Sequence, residues 1–202
     1  MNQAKVQFSS SEMELMRNSE IILTKNKVLG KIKTLLEELQ NNLTENNQYI
    51  SGSLSTNIFS IHPKISKGEN YLGLPYLILD YPRFFKQQNI FAIRTMFWWG
   101  NFYSTTLHLS GECKAQYLRK IQSAYNLLSQ ENFSIGINDD PWLHHFTNDN
   151  YIPVNSLNEE EFRTRCAEQH HLKIATTIAF TNDNVNQKLM ENWQWLAKIC
   201  LD

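Results

Sequence analysis

The fold is decided by residues 90–109, IFAIRTMFWWGNFYSTTLHL, which read as two β-strands on either side of a tight turn. Aromatic and β-branched residues are frequent in both halves, and these residue types favour strands. Gly100-Asn101 lies between the two runs, and such a dipeptide is typical of a two-residue hairpin loop. A loop of fixed length determines which residues lie opposite each other, so it also predicts the side chains that share a face.

The predicted register pairs Trp99 with Phe102 and gives the hairpin one face with an aromatic end and a hydroxyl-rich end. The polar and aromatic residues of this face are Thr95, Phe97, Trp99, Phe102, Ser104, Thr106 and His108. Apolar walls with a few convergent polar groups are what a small-molecule pocket needs. We therefore predict that these seven residues bind a small ligand or a protein partner. The alternative is that the rings are core and that the threonines serve strand formation.

Arg94 lies in the middle of the first strand and, in this register, projects from the opposite face among apolar residues. A buried guanidinium needs a carboxylate partner. Asp80, at the end of the preceding predicted strand, is the nearest candidate in the sequence, with Glu69 and Glu112 as alternatives. Arg83 could complete an anion site beside the pair. The two interpretations are an ion pair that fixes the sheet and a clamp for a substrate.

An enzymatic alternative gives chemical roles to Asp80, Arg83, Arg94 and His108, as an acid/base and anion-holding group. The predicted register opposes it, because Arg94 and His108 project from opposite faces of the hairpin. A single histidine near a strand end is also more often structural than catalytic. The sequence therefore leaves open whether the protein is an enzyme.

The first helix is predicted at about residues 10–46 and opens with a capping box of Ser9 with Glu12 or of Ser11 with Glu14. Its apolar stripe repeats every seven residues, at Leu15, Ile22, Leu29, Leu36 and Leu43. Asn18 interrupts the stripe, so the helix is expected to bend or divide near Asn18-Ser19. The pattern favours a helix laid across a sheet. The alternative is a coiled coil that makes the protein an oligomeric scaffold.

The remaining segments complete an α+β fold, expected to form one domain over residues 1–202 with three to four helices packed on a mainly antiparallel sheet. Further strands are predicted at 76–81, 133–138, 142–146 and 172–180. Helices are predicted at 112–129, after a capping box of Ser156 with Glu159, and after residues 181–183. The polar segment 44–73 is expected to form loops or short edge structure.

The composition restricts the classes of function. The 202 residues carry a net charge of −1, so nucleic acid is not an expected partner, although Phe97, Trp99 and Phe102 could stack bases on an open face. No apolar run reaches the length of a membrane span or of a signal peptide, and the three cysteines are widely spaced. We expect a soluble, cytoplasmic protein, and the bias toward Asn, Lys and Ile suggests a bacterial source.

Sequence motifs for cofactors and metals are absent: there is no G-x-G-x-x-G, G-x-x-x-x-G-K-[ST], G-x-S-x-G or H-E-x-x-H. We therefore predict no cofactor and no metal. One metal alternative is the segment 139–145, whose acidic and imidazole groups could combine with His108 or His171. The groups in that segment are Asp139, Asp140, His144 and His145. A turn rich in Asp and Asn is the ordinary interpretation of the same residues.

Overall fold

A seven-stranded antiparallel sheet forms the centre of the structure, a computed structural model that describes residues 6–45, 58 and 60–201. Its strands are β1 (Lys64–Tyr71), β2 (Leu74–Lys86), β3 (Asn89–Trp98), β4 (Phe102–Ser110), β5 (Ser134–Gly136), β6 (Tyr151–Pro153) and β7 (His171–Ile178). They lie in the order β1-β2-β3-β4-β7-β5-β6. The predicted hairpin of β3 and β4 is therefore central, and the predicted α+β class is confirmed.

Six α-helices are found in the described part of the chain. They are α1 (Ser10–Arg17), α2 (Ser19–Glu45), α3 (Gly111–Ser123), α4 (Tyr125–Gln130), α5 (Glu159–Glu168) and α6 (Val185–Leu201). The predicted division near Asn18 is confirmed, because the Asn18 side chain accepts a hydrogen bond from the Glu20 amide and begins α2. The capping box of Ser9 with Glu12 is also present. Leu29, Leu36 and Leu43 are buried, so α2 lies across the sheet as its stripe predicts.

The hairpin register differs from the prediction by one residue. Trp98 pairs with Phe102 and Arg94 pairs with Thr106, so the turn contains Trp99, Gly100 and Asn101. The Asn101 amide donates to the Trp98 carbonyl oxygen, and Gly100 has a φ of 73° at the third position of this four-residue turn. A type II turn requires a positive φ at that position, which explains why Gly100 is used here and not as the first residue of a two-residue loop.

The corrected register gives β3 and β4 two faces of different composition. The helix face carries Phe91, Ile93, Thr95, Phe97, Tyr103, Thr105, Leu107 and Leu109. The loop face carries Ala92, Arg94, Met96, Trp98, Phe102, Ser104, Thr106 and His108. Helices cover the first face, as the contact of Phe91 with Tyr117 of α3 illustrates, with ring centroids 5.2 Å apart.

The segment 44–73, expected to form loops or short edge structure, contains the edge strand β1, and its residues 46–57 and 59 lie outside the described residues. Strand β1 is rich in lysine and exposed positions, so it lacks the apolar alternation by which strands are recognised. Two other local predictions were wrong. Residues 142–146 form no strand. The capping box before α5 is formed by Asn158 with Glu161, whereas Ser156 donates to the Pro153 carbonyl.

The cysteines Cys113, Cys166 and Cys200 are free and buried, as expected for small apolar side chains. Burial raises the pKa of Cys166 and of Cys200 to about 12, so both thiols stay protonated. Among the described residues, the helices are all too short or too polar to cross a bilayer.

Candidate functional site

A loop of residues 137–150, between β5 and β6, folds over the loop face of the sheet. Tyr71 of β1 fixes it, since its hydroxyl accepts hydrogen bonds from the amides of His144 and His145, at 2.5 and 3.1 Å. The same hydroxyl lies 3.0 Å from His145 Nδ1, and because the two amides occupy both of its acceptor positions, it donates its proton to this nitrogen. Asn150 closes the loop from within by donating to the His145 carbonyl oxygen at 2.6 Å. The loop thus has a defined conformation above the strands.

The aromatic end of the loop face is filled by rings. Trp98 and Phe102 lie 5.5 Å apart, and Phe102 contacts Phe146 of the 137–150 loop at 5.3 Å between centroids. Phe146 in turn stacks on Tyr151 at 4.3 Å. This end is ordinary aromatic packing. The chemistry of the loop face therefore lies at its other end, which we call the polar end and which consists of Asp80, Arg94, Thr106, His108 and Lys173.

Arg94 and Asp80 form a bidentate ion pair at the polar end. The Arg94 Nε and Nη2 atoms donate to the two Asp80 carboxylate oxygens at 2.8 and 2.9 Å, because the two residues are direct neighbours on β2 and β3. The predicted partner of Arg94 is therefore confirmed. Arg94 Nη1 lies 3.0 Å from His144 Nε2. A guanidinium only donates, so His144 accepts through Nε2 and carries its proton on Nδ1.

Lys173 is a second cation at the polar end and is 1% exposed. It lies opposite His108, on β7, and its Nζ atom donates to the Leu143 carbonyl oxygen of the 137–150 loop at 2.5 Å. The ammonium lies 4.9 Å from the centre of the Tyr151 ring. Within the described residues, no carboxylate is close enough to form an ion pair with Lys173. Burial lowers the pKa of Lys173 to about 8, although Asp140 acts in the opposite direction.

His108 lies between these cations with an unsatisfied nitrogen. Its side chain is buried, and Nε2 has no hydrogen-bond partner among the described residues. The His171 ring is 5.9 Å away and the Trp142 ring 5.5 Å away. Burial lowers the pKa of His108 to about 3, and the neighbouring His171, Lys173 and Arg94 add to this effect. The imidazole is therefore neutral at physiological pH, and its buried Nε2 can serve a hydrogen-bonded ligand.

Similar physics keeps His144 neutral. Burial lowers the pKa of His144 to about 2, with a further contribution from the Arg94 guanidinium beside it. The Tyr151 hydroxyl also lies at the polar end, next to the Thr106 side chain, and makes no hydrogen bond of standard geometry to any described residue. Burial raises the pKa of Tyr151, so its proton remains available for donation. The polar end thus combines two cations and one carboxylate with neutral donors and acceptors.

Gly136 leaves the space that the Lys173 side chain occupies. A Cβ atom at Gly136 would lie 3.1 Å from Lys173 Cβ and Cε, and 3.5 Å from the Tyr151 ring. These distances are tight, so a larger residue on β5 would push the lysine stem and the ring out of position. The glycine therefore positions the lysine.

The structure divides the seven residues predicted to bind a ligand. Thr95 and Phe97 lie on the helix face, Trp99 lies in the turn, and the other four lie on the loop face: Phe102, Ser104, Thr106 and His108. The predicted shared surface is therefore wrong, for the single reason that the register is shifted by one residue. Of the aromatic rings considered for base stacking, Phe97 and Trp99 are in contact, with ring centroids 6.2 Å apart, whereas Phe102 lies on the opposite face.

The same shift brings together residues that were predicted to be apart. Arg94 and His108 project from one face, which removes the geometric objection to a joint role for Asp80, Arg94 and His108. Arg83 does not complete the group through its Nε atom, which donates to the His62 carbonyl oxygen at 2.7 Å. In the described ranges, no group of three His, Cys, Asp or Glu side chains could hold a metal ion, so the metal alternative gains no support.

Sequence reasoning missed Lys173 and Tyr71. Lys173 is the one charged residue of the strand sequence HLKIATTI, and a lysine within a buried apolar strand is a signal of a special role. Tyr71 gave no comparable signal, because its partners belong to a loop more than seventy residues away in the sequence. Comparisons of the chain with protein-family models, curated proteins and solved structures found no match. The function is therefore argued from the residues of the polar end.

Proposed function

We propose that the protein binds a small anionic ligand at the polar end of the loop face, beneath the 137–150 loop. The observation that carries this proposal is the buried charge: Arg94 and Lys173 are cations, and Asp80 is the single carboxylate paired with them in the described residues. A buried charge without a counter-ion costs several kcal/mol. An anion beside Lys173 would neutralise this excess.

Hydrogen-bond chemistry supports the same class of ligand. The Lys173 ammonium has three donors, of which one binds the Leu143 carbonyl, and the Tyr151 hydroxyl has a proton to donate. Oxygen atoms of a carboxylate, phosphate or sulfate group accept such bonds. Neutral His108 can donate to the same oxygens if its proton is on Nε2.

The ligand must be small because the 137–150 loop lies directly on the polar residues. His144 and Leu143 of this loop touch Arg94 and Lys173, so a ligand has to displace these contacts or pass beside Trp142. Trp142 is 48% exposed and packs on Phe85 with 6.3 Å between ring centroids. The loop therefore acts as a lid, held by Tyr71 on one side and by Lys173 on the other.

An acid–base enzyme is the second candidate, and the shared face of Arg94 and His108 favours it. In this reading Arg94 holds an anionic substrate and Lys173 or His108 transfers a proton, since burial brings the pKa of Lys173 to about 8. Both candidates need an anion at the polar end. Anion binding is therefore the first property to measure, before any assay of enzymatic activity.

The experiment measures the melting temperature Tm in sodium sulfate and in sodium chloride of equal ionic strength, for the wild type and for Lys173→Met. A ligand at a hundred times its Kd stabilises the native state by about 2.7 kcal/mol, which corresponds to a Tm increase of about 5–10 °C for a chain of this size. We expect this increase in the wild type and in Lys67→Met, which removes an exposed lysine of β1. Sulfate also stabilises proteins without binding to them, and the Tm increase of Lys67→Met contains this non-specific effect as well.

In Lys173→Met the sulfate-specific increase is expected to disappear, while the Tm in chloride stays equal or rises because a buried cation is gone. An equal response of Lys173→Met and Lys67→Met to sulfate would contradict the proposal, and so would a wild type without any response beyond that of chloride.

A further inference from the structure

The N-terminal arm, residues 6–24, lies outside the core and carries a large apolar surface. Every residue of the arm is exposed, and the first buried residue of α2 is Leu29. The exposed large apolar side chains of the arm are Val6, Phe8, Met13, Leu15, Met16, Ile21, Ile22 and Leu23, with exposures between 41% and 74%. Together they offer on the order of 800 Å², close to the area that each partner buries in a stable protein interface.

The arm nevertheless has a well-specified helical structure. The capping box of Ser9 with Glu12 begins α1, and the side chain of Asn18 begins α2. A helix as short as α1 is marginal in water without tertiary packing, and none of its residues is buried. A local sequence that specifies helix, combined with an apolar surface that the described residues leave open, indicates a contact outside the chain.

The distribution of charge identifies the occupant of this surface. The arm contains Glu12, Glu14 and Glu20 against one basic residue, Arg17, whereas residues 25–33 contain four lysines and no acidic residue. Lys25 and Lys33 pair within the chain, with Glu69 and Glu37. Lys27 and Lys31 are exposed on the next two turns of α2. The arm of one copy, laid antiparallel on a second copy, would bring the acidic arm beside these lysines.

We propose that two copies of this chain associate through their N-terminal arms in an antiparallel arrangement. The pairing is isologous, so each acidic arm contacts the lysines of the other copy, as a two-fold axis requires. The apolar seam continues the stripe of α2, because Ile22 precedes the buried Leu29 by the same seven-residue spacing that leads on to Leu36 and Leu43. A parallel pairing would place acidic arm against acidic arm.

Sedimentation velocity tests the apolar part of the proposal. We expect the wild type to have the mass of two chains at micromolar concentration, and Met16→Glu combined with Ile22→Glu to have the mass of one. Both positions are exposed within one chain, Met16 to 68% and Ile22 to 55%, so the circular dichroism of the variant should keep its folded signal. Leu72→Glu, an exposed residue in the turn between β1 and β2, is the matched control and should remain a dimer.

A charge exchange tests the antiparallel orientation. The variant Glu14→Lys with Glu20→Lys and the variant Lys27→Glu with Lys31→Glu should each dimerise at least tenfold more weakly than the wild type at low ionic strength. Mixing the two variants should restore dimers that contain one copy of each, because both contacts then regain opposite charges. A monomeric wild type, a dimer that survives Met16→Glu with Ile22→Glu, or a mixture that stays monomeric would overturn the proposal.

Discussion

The helix face and the loop face belong to the same two strands, yet they are buried by different means. The helix face is apolar and is covered by helices, with Phe91 and Leu107 almost fully inaccessible. Its stability comes from the removal of apolar surface from water. The loop face is also mostly buried, but its polar end holds an ion pair, a lysine and the neutral His108 under the 137–150 loop, which adds the neutral His144.

Burial on the loop face is therefore not optimised for stability. Well-packed apolar residues would stabilise the sheet as well as or better than a buried lysine without a carboxylate partner. Native proteins retain such costly groups mainly at sites of function. The contrast between the two faces therefore supports a binding site on the loop face. Substitutions on each face in turn test this contrast.

The largest effect is expected when the ion pair of the loop face is broken. Arg94→Met should lower the free energy of unfolding by about 3–5 kcal/mol, because it leaves the Asp80 carboxylate buried and unpaired. Asp80→Leu combined with Arg94→Met removes both charges and should recover most of this loss. Urea denaturation measures both values. A single variant as stable as the wild type would mean that Asp80 is solvated in the native state.

Acid should lower the free energy of unfolding through the loop face alone, by less than the loss of the ion pair does. The pKa of His108 is lowered from an ordinary value of 6.5 to about 3, so between these values the unfolded chain binds more protons than the native protein. The free energy of unfolding should then fall by about 1.4 kcal/mol per pH unit from His108 as the pH drops below about 6.5, and should be constant with respect to this group above it.

Two variants test whether His108 causes this pH dependence of the free energy of unfolding. His108→Phe should reduce the pH dependence of urea denaturation between about pH 6.5 and about pH 4.5 by close to one proton. Leu107→Ala, on the helix face, should cost about 2–5 kcal/mol at every pH and leave the slope unchanged. A slope that is the same in wild type and His108→Phe would show that the native protein can protonate this imidazole.

The smallest effect concerns the fit of Lys173. Gly136→Ala should destabilise the protein by about 1–2 kcal/mol, because the new methyl group meets the lysine stem and the Tyr151 ring. Gly30→Ala is the matched control, since a Cβ atom there meets nothing within 4 Å and the position lies in α2. Thermal denaturation should show a lower Tm for Gly136→Ala and an equal or higher Tm for Gly30→Ala.

The sequence was sufficient for the hairpin strands, the break at Asn18 and the pairing of Arg94 with Asp80, because each depends on local pattern or on neighbouring strands. It was not sufficient for the register, since Gly100 suits both a two-residue loop and the third position of a type II turn. Because of this ambiguity, the predicted cross-strand partner of every residue in β4 was wrong by one position. Within each strand the alternation was correct.

The polar end was hidden for a different reason. Its members come from β2, β3, β4 and β7, together with the 137–150 loop, and no local rule places that loop over one face of the sheet. Lys173 could have been singled out by its apolar neighbours in β7. Its lack of a carboxylate partner in the described part of the chain, on which the proposed function depends, follows only from the three-dimensional arrangement.

Isothermal titration calorimetry of sulfate at two pH values tests whether Lys173 holds the anion at the polar end. The charge of sulfate stays constant over this pH range, while Lys173 loses its proton. With a pKa of about 8 for Lys173, the affinity should be about 30-fold weaker at about pH 9.5 than at about pH 7. Lys173→Met should give no binding heat at either pH. An affinity that is equal at both pH values, or binding that survives in Lys173→Met, would contradict the assignment of Lys173 as the anion-holding cation of the loop face.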